Sequence, residues 1–256
     1  MLAKLPIVKC FLLFILVFGF GQITNALGYV LQFPEWLRTG VYFSTQILLL
    51  CISILFIRTE NSSFRGHGFL LPEGAGMYVS ASVFLALLYI IITIFLPGSL
   101  TGFEAFPTAI PPSGFLLVVV NILLASTATE TIFRGYIQTN FTKAYGFFTA
   151  LLVNSVMSTL YLFPLSSVAD TSSTIVFYSL LSLFAESIFL SIFFAKTKTL
   201  LCTATYSTIA SLLYNFTPVK AITTEYAPLI LVITYVFLAP LMYLLVLKID
   251  QILERT

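Results

Sequence analysis

Residues 227–247 read APLILVITYVFLAPLMYLLVL, a stretch without one charged side chain. A helix needs about 20 mostly apolar residues to cross a bilayer, so this stretch predicts a transmembrane span of roughly 227–248. Seven further runs of the same kind precede it, at roughly 7–24, 40–57, 75–97, 114–134, 145–163, 173–195 and 199–215. Several are short or carry Ser and Thr, which suits helices packed against protein rather than lipid. Pro72, Pro97-Gly98, Pro107, Pro111 and Pro112 punctuate the gaps. The first run also has the length of a signal peptide, with Lys4 and Lys9 ahead and Asn25-Ala26-Leu27-Gly28 behind. Its cleavage-site signal is weak, and the run is read as a span.

Composition agrees. The 256 residues are 59% hydrophobic and 9% charged, against about 25% charged in a soluble domain. So few charges cannot cover a soluble protein of this size. The expected fold is all-α: one integral-membrane bundle of about eight helices over residues 1–256. The net charge of +2 argues nothing by itself; the expected partners are membrane lipids and a membrane peptide or protein, with no nucleic acid. Cys10, Cys51 and Cys202 show no disulfide or metal spacing and read as small buried apolar residues.

Lys and Arg in the connections set orientation. With the N-terminus in the cytoplasm, Lys4, Lys9, Arg58, Arg65, Arg134, Lys143, Lys196, Lys198, Lys248 and Arg255 fall inside, and only Arg38 and Lys220 outside. The external connections carry Glu35, Glu104, Asp170 and Glu225. The pattern predicts a cell-membrane protein with both termini cytoplasmic. Leu247 to Thr256 alternate charged and apolar residues, as a short interfacial helix or a solvated helix end would.

Ionisable groups within spans are costly and mark candidate functional sites. Glu130 lies near the end of the fourth run, four residues before Arg134, so the two share a helix face and can pair. Glu186 lies within the sixth run beside Ser187 and Ser191. The alternatives are an ion pair anchoring a helix end at the headgroups and a protonated or hydrogen-bonded core carboxyl. Asn121 and Asn154 read as amides bonded to neighbouring helices. His67, the chain's one histidine, reads as an exposed loop residue.

The segment Thr129-Glu130-Thr131-Ile132-Phe133-Arg134-Gly135-Tyr136-Ile137-Gln138 resembles the first motif of the CAAX-protease and bacteriocin-processing family (CPBP, also called Abi), which includes the type II CAAX prenyl endopeptidases. That motif has two adjacent glutamates, three residues, then Arg-Gly-Tyr and often Gln. The family has eight transmembrane helices, with this motif at the cytoplasmic end of the fourth. Thr197-Lys198-Thr199-Leu200 stands where the family has a Thr-Gly-Ser-Leu turn. Ser155 to Phe163 occupies the place of the second motif, Phe-three residues-His, and Asn215 ends the third, His-three residues-Asn. The resemblance covers roughly residues 114–216.

The departures bear on chemistry. The family's water-activating first glutamate is Thr129 here, and only the second is kept, as Glu130. The second motif's Phe and His fall at Ser158 and Leu162, and the third motif's His at Ser211. Hydrolysis needs a base for water and donors for the oxyanion, and threonine is no base near neutral pH. One distant histidine cannot build a zinc site with the usual three protein ligands, so no cofactor is expected. Glu130, Arg134, Gly135 and Asn215 survive, and these can brace a fold. Glu186 is the candidate to replace the lost base, provided that it faces Glu130 across the bundle. The sequence thus predicts a family member without protease activity that binds a partner. The alternatives are an intramembrane endopeptidase with relocated groups and a transporter or membrane-complex subunit unrelated to proteases.

Overall fold

A computed structural model describes residues 5–30, 34–60, 64–69, 71–105, 115–163, 172–216, 219–221 and 227–255. All eight apolar runs are helices: α1 Leu5–Val30, α2 Glu35–Thr59, α3 beginning at Ala75, α4 beginning at Phe115, α5 Phe147–Leu162, α6 Ser173–Thr197, α7 Leu200–Phe216 and α8 Ala227–Leu253. Six are long and apolar enough to cross a bilayer. The exceptions, α5 with 16 residues and α7 with 17, reach about 24–26 Å at 1.5 Å per residue, against a hydrocarbon core of about 30 Å. Lys4, Pro107, Pro111, Pro112, Asp170 and Glu225 lie outside the described residues.

Two helices outrun their hydropathy. The third passes Pro97 by widening into a π-helical segment, Ile91–Phe95, and then resumes as Leu96–Thr101. A proline leaves a carbonyl without its usual donor, and a local π turn accommodates that. The fourth passes through a second π segment, Thr131–Gln138, and ends at Tyr145. Glu130 is therefore mid-helix and not near its end.

Burial is inverted relative to a soluble protein. Val8, Ile15, Val236 and Phe237 are exposed, while Ser53, Ser82, Ser187 and Thr203 are fully buried. Lipid suits the first set; in the second, Ser53, Ser82 and Thr203 donate to carbonyls of their own helices and Ser187 accepts from Arg134. Cys10 and Cys202 are buried as expected, but Cys51 is exposed, because it falls on the outward face of α2.

α6 packs against α5 and α8, and α3 against α7. Two apolar clusters result. One joins α3, α6, α7 and α8 through Leu85, Phe189, Phe193, Tyr206 and Leu238. The other joins α1, α2, α4 and α5 through Leu13, Leu49, Phe133, Tyr136 and Met157.

Contacts at the ends confirm the alternation of helices. Lys9 Nζ at the start of α1 donates to Thr59 Oγ1 at the end of α2 (3.3 Å). The Tyr136 hydroxyl on α4 donates to Glu60, and the Tyr78 hydroxyl on α3 to Asp250 on α8. The start of α1 and the end of α8 thus share one end of the bundle. At the other end, β1 (Phe103–Ala105) pairs antiparallel with β2 (Val219–Ala221), tying the connection after α3 to that before α8. The C-terminal tail is no separate interfacial helix as far as Leu253. It is the last turn of α8, held by Tyr78.

Candidate functional site

The π segment of α4 carries the polar centre. Arg134 Nη1 donates to Glu130 Oε1 at 3.3 Å, and both side chains are almost wholly buried. Arg134 Nη2 donates to Ser187 Oγ (3.1 Å) and to the Ser187 carbonyl (3.4 Å) on α6. One turn on, Gln138 Nε2 donates to the Ser191 carbonyl (2.9 Å), while Asn154 on α5 donates to Ser191 Oγ (2.9 Å). α6 therefore presents Ser187 and Ser191, four apart on one face, as a polar seam for α4 and α5. These partners explain why α4 carries Arg134 and Gln138 through the interior: each has a mate on α6. Arg134 consequently leaves the inventory of connection cations, since it is paired inside the bundle.

Beside this pair lies a cavity of about 270 Å³. α4 contributes Thr129, Glu130 and Arg134, and α6 contributes Glu186 and Ser187. Leu162, Ser211 and Asn215 line it from α5 and α7. The structure thus gathers Thr129, Glu130, Arg134, Leu162, Glu186, Ser211 and Asn215 in one place. Glu186 interacts electrostatically with both Arg134 and Glu130, and Tyr235 on α8 adjoins its carboxyl. The Glu130–Arg134 pair is not a headgroup anchor. Asn215 sits at the exposed margin and donates to its own helix at the Ser211 carbonyl (2.8 Å).

Gly135 does not line the cavity. A Cβ there would come within 3.1 Å of Leu200 Cδ1 and 3.2 Å of the His67 carbonyl, so the glycine lets the 64–69 segment approach α4. His67 is fully buried, not exposed, and its Nδ1 lies 2.8 Å from the Gly135 carbonyl. A carbonyl only accepts, so Nδ1 carries the proton. Burial, the largest influence, pushes the His67 pKa below its ordinary value of 6.5; the Gly135 carbonyl opposes that shift, Lys143 adds to it and Glu60 opposes it. The unfolded chain therefore takes up this proton at a higher pH than the folded one. His67 should stabilise the fold fully above pH 6.5 and progressively less as pH falls below it. Unfolding titrations of the wild type and His67→Ala should converge as pH is lowered; an unchanged difference between pH 7.5 and 5.5 would refute this.

The polar cavity residues not anticipated are Ser126, Ser207, Tyr42 and Tyr161. Ser207 Oγ donates to Glu130 Oε1 at 3.4 Å; its signal was its position one turn before Ser211 on α7. Tyr42 left no signal, because its contribution depends on α2 docking beside α4. Tyr161 lies next to Leu162 and has Thr129 and Gln46 beside its hydroxyl. The turn at 197–200 is confirmed by geometry: Lys198, at the family's glycine, has φ 55, the one positive φ among the described non-glycine residues.

Residues 111–217 match the family described as type II CAAX prenyl endopeptidase Rce1-like. This segment is CAAX-protease-like. No curated protein matches the chain. The Rce1-like segment spans α4 to α7 and supplies most of the cavity, while Tyr42 comes from α2 outside it. At both positions where the family has a motif histidine, Leu162 and Ser211 face the cavity, so no imidazole stands opposite Glu130. Two carboxyls with a guanidinium beside them are not a zinc-type donor set, since Arg134 already neutralises one of the would-be ligands.

Proposed function

We propose that this CAAX-protease-like membrane protein keeps the scaffold of a protease and binds a membrane peptide, lipid or protein partner without hydrolysing it. The observation that carries the reading is the state of Glu130. Its Oε1 accepts from both Arg134 and Ser207, its buried Oε2 has no hydrogen-bond partner among the described residues, and the neighbouring position of the motif is Thr129. A general base draws a proton from water, and such a base contributes about 10²–10⁴ in rate. A carboxylate held against a buried guanidinium is a poor candidate, and no imidazole assists it. The same reading puts both termini in the cytoplasm of a cell membrane, from the distribution of lysine and arginine.

A second reading has one observation in its favour. Glu186 lines the same cavity as Glu130, which is the placement a relocated base requires. Purified protein in proteoliposomes, incubated with a farnesylated peptide ending in a CAAX sequence, separates the two. The expected result is no cleavage above protein-free vesicles. Cleavage abolished by Glu186→Gln would establish the peptidase and its base; cleavage lost only in Glu130→Gln would establish the peptidase with Glu186 excluded.

A further inference from the structure

A second cavity, about 740 Å³, shares no lining residue with the first. Its charged lining is entirely basic: Arg65 from the connection after α2, Lys143 near the end of α4, and Lys196 and Lys198 at the turn between α6 and α7. All four are exposed, and among the described residues none forms a salt bridge. Lys196 Nζ rests 4.4 Å from the centre of the Tyr243 ring, which fixes its ammonium at the rim. The rest of the wall is mostly apolar, with Gln138, Thr139 and Thr142 as polar exceptions. Phe147, Phe148 and Leu151 of α5 face it, and Phe148 is 79% exposed, so the slot opens outward between α5 and α6.

Cations at a helix end are ordinary in membrane proteins. This arrangement is more specific: three separate connections converge their charge on one pocket, no acidic side chain lines it, and the pocket continues into an aromatic slot open to the outside of the bundle. A water-soluble anion has no use for the slot, and a neutral lipid has none for four cations. We propose that this cavity binds an anionic phospholipid, its phosphate among Arg65, Lys143, Lys196 and Lys198 and the start of one acyl chain against Phe147, Phe148 and Leu151.

The test uses the full chain purified in detergent, exchanged into mixed micelles of phosphatidylglycerol and phosphatidylcholine, with retained lipid read by native mass spectrometry. Wild type should retain phosphatidylglycerol selectively. The Lys143→Gln/Lys198→Asn variant removes two charges while giving position 198 a residue that tolerates its positive φ. It should bind phosphatidylglycerol roughly thirtyfold more weakly, at the usual strength of a lipid-facing cation, with phosphatidylcholine retention unchanged. Ala195→Phe, which fills the cavity wall and leaves every charge in place, should also lose the lipid. Circular dichroism confirms that each variant is folded before it is scored. Selective retention by either folded variant at the wild-type level would overturn the proposal. So would displacement of phosphatidylglycerol by millimolar inorganic phosphate, which would mark a plain anion site, or by a farnesylated peptide, which would mark a peptide site.

Discussion

Arg134→Met should destabilise the protein by about 3–5 kcal/mol, the cost of leaving a buried charge without its partner. Arg134 is 1% exposed and Glu130 2%, and α4 holds both in the interior. Methionine keeps the flexible stem but ends short of the guanidinium, so a small gap adds to the loss. The larger change is that Glu130 loses its counter-charge and Ser187 loses two incoming hydrogen bonds. The double variant Glu130→Gln/Arg134→Met removes the orphaned charge as well. It should regain much of the loss, because a buried ion pair contributes little net stability over a neutral pair of similar shape. Unfolding in detergent, followed by circular dichroism for both variants, measures the difference. If Arg134→Met is as stable as wild type, the pair is not the structural element described above, and the argument that Glu130 is committed to a charge pair fails with it.

The second large effect is expected at Gly68. Its φ of +82 lies in the left-handed region, and an added Cβ would stand 2.6 Å from Phe194 Cε2. Its carbonyl accepts from Leu200 N at 2.9 Å, so the residue joins the 64–69 segment to the start of α7. Gly68→Ala combines a backbone cost of about 1–2 kcal/mol with overpacking of about 1–3 kcal/mol. Phe194 is buried but also borders the larger cavity, into which its ring can give way in part. The expected loss is about 2–5 kcal/mol, together with faster proteolysis between residues 60 and 74, since this contact helps to close the segment over α4. Gly19→Ala, inside α1 with nothing within 4 Å of the new Cβ, is the control and should cost nothing, with a gain of up to about 1 kcal/mol from helix propensity. A Gly68→Ala protein with wild-type stability would mean that the segment is held from elsewhere.

The helices were legible because hydropathy integrates over about 20 residues, and errors at single positions average out. α8 is the clearest case and α5 the least clear. The end of α4 was not legible. Arg134, Gln138 and Asn140 read as the start of a connection, since a local window cannot see Ser187 and Ser191, some 50 residues later, waiting to receive them. His67 failed for the same reason in the opposite direction. A lone histidine between glycines looks exposed until Gly135 allows its backbone to approach.

The candidate site divides along the same line. Thr129, Glu130, Arg134, Leu162, Ser211 and Asn215 stood out in order along the chain because the resemblance to the family's motifs picks out those positions, and Glu130 and Arg134 stood out also by their charge and spacing within a span. Glu186 could be singled out by its charge alone, and nothing local said where it faced. Ser207, Tyr42 and the four cations around the second cavity acquire meaning only from neighbours brought close by α2, α5 and α6. By itself the sequence determined that the chain is a bundle of eight apolar helices, and which helix faces bear the altered motif. Only tertiary structure decided that Glu186 adjoins Glu130, that Arg134 is committed to the interior, and that three distant connections share one basic pocket. The physical reason is range: hydrophobic transfer and helical periodicity act within one segment, whereas pairing of buried charges and hydrogen bonds acts between segments and depends on how they pack.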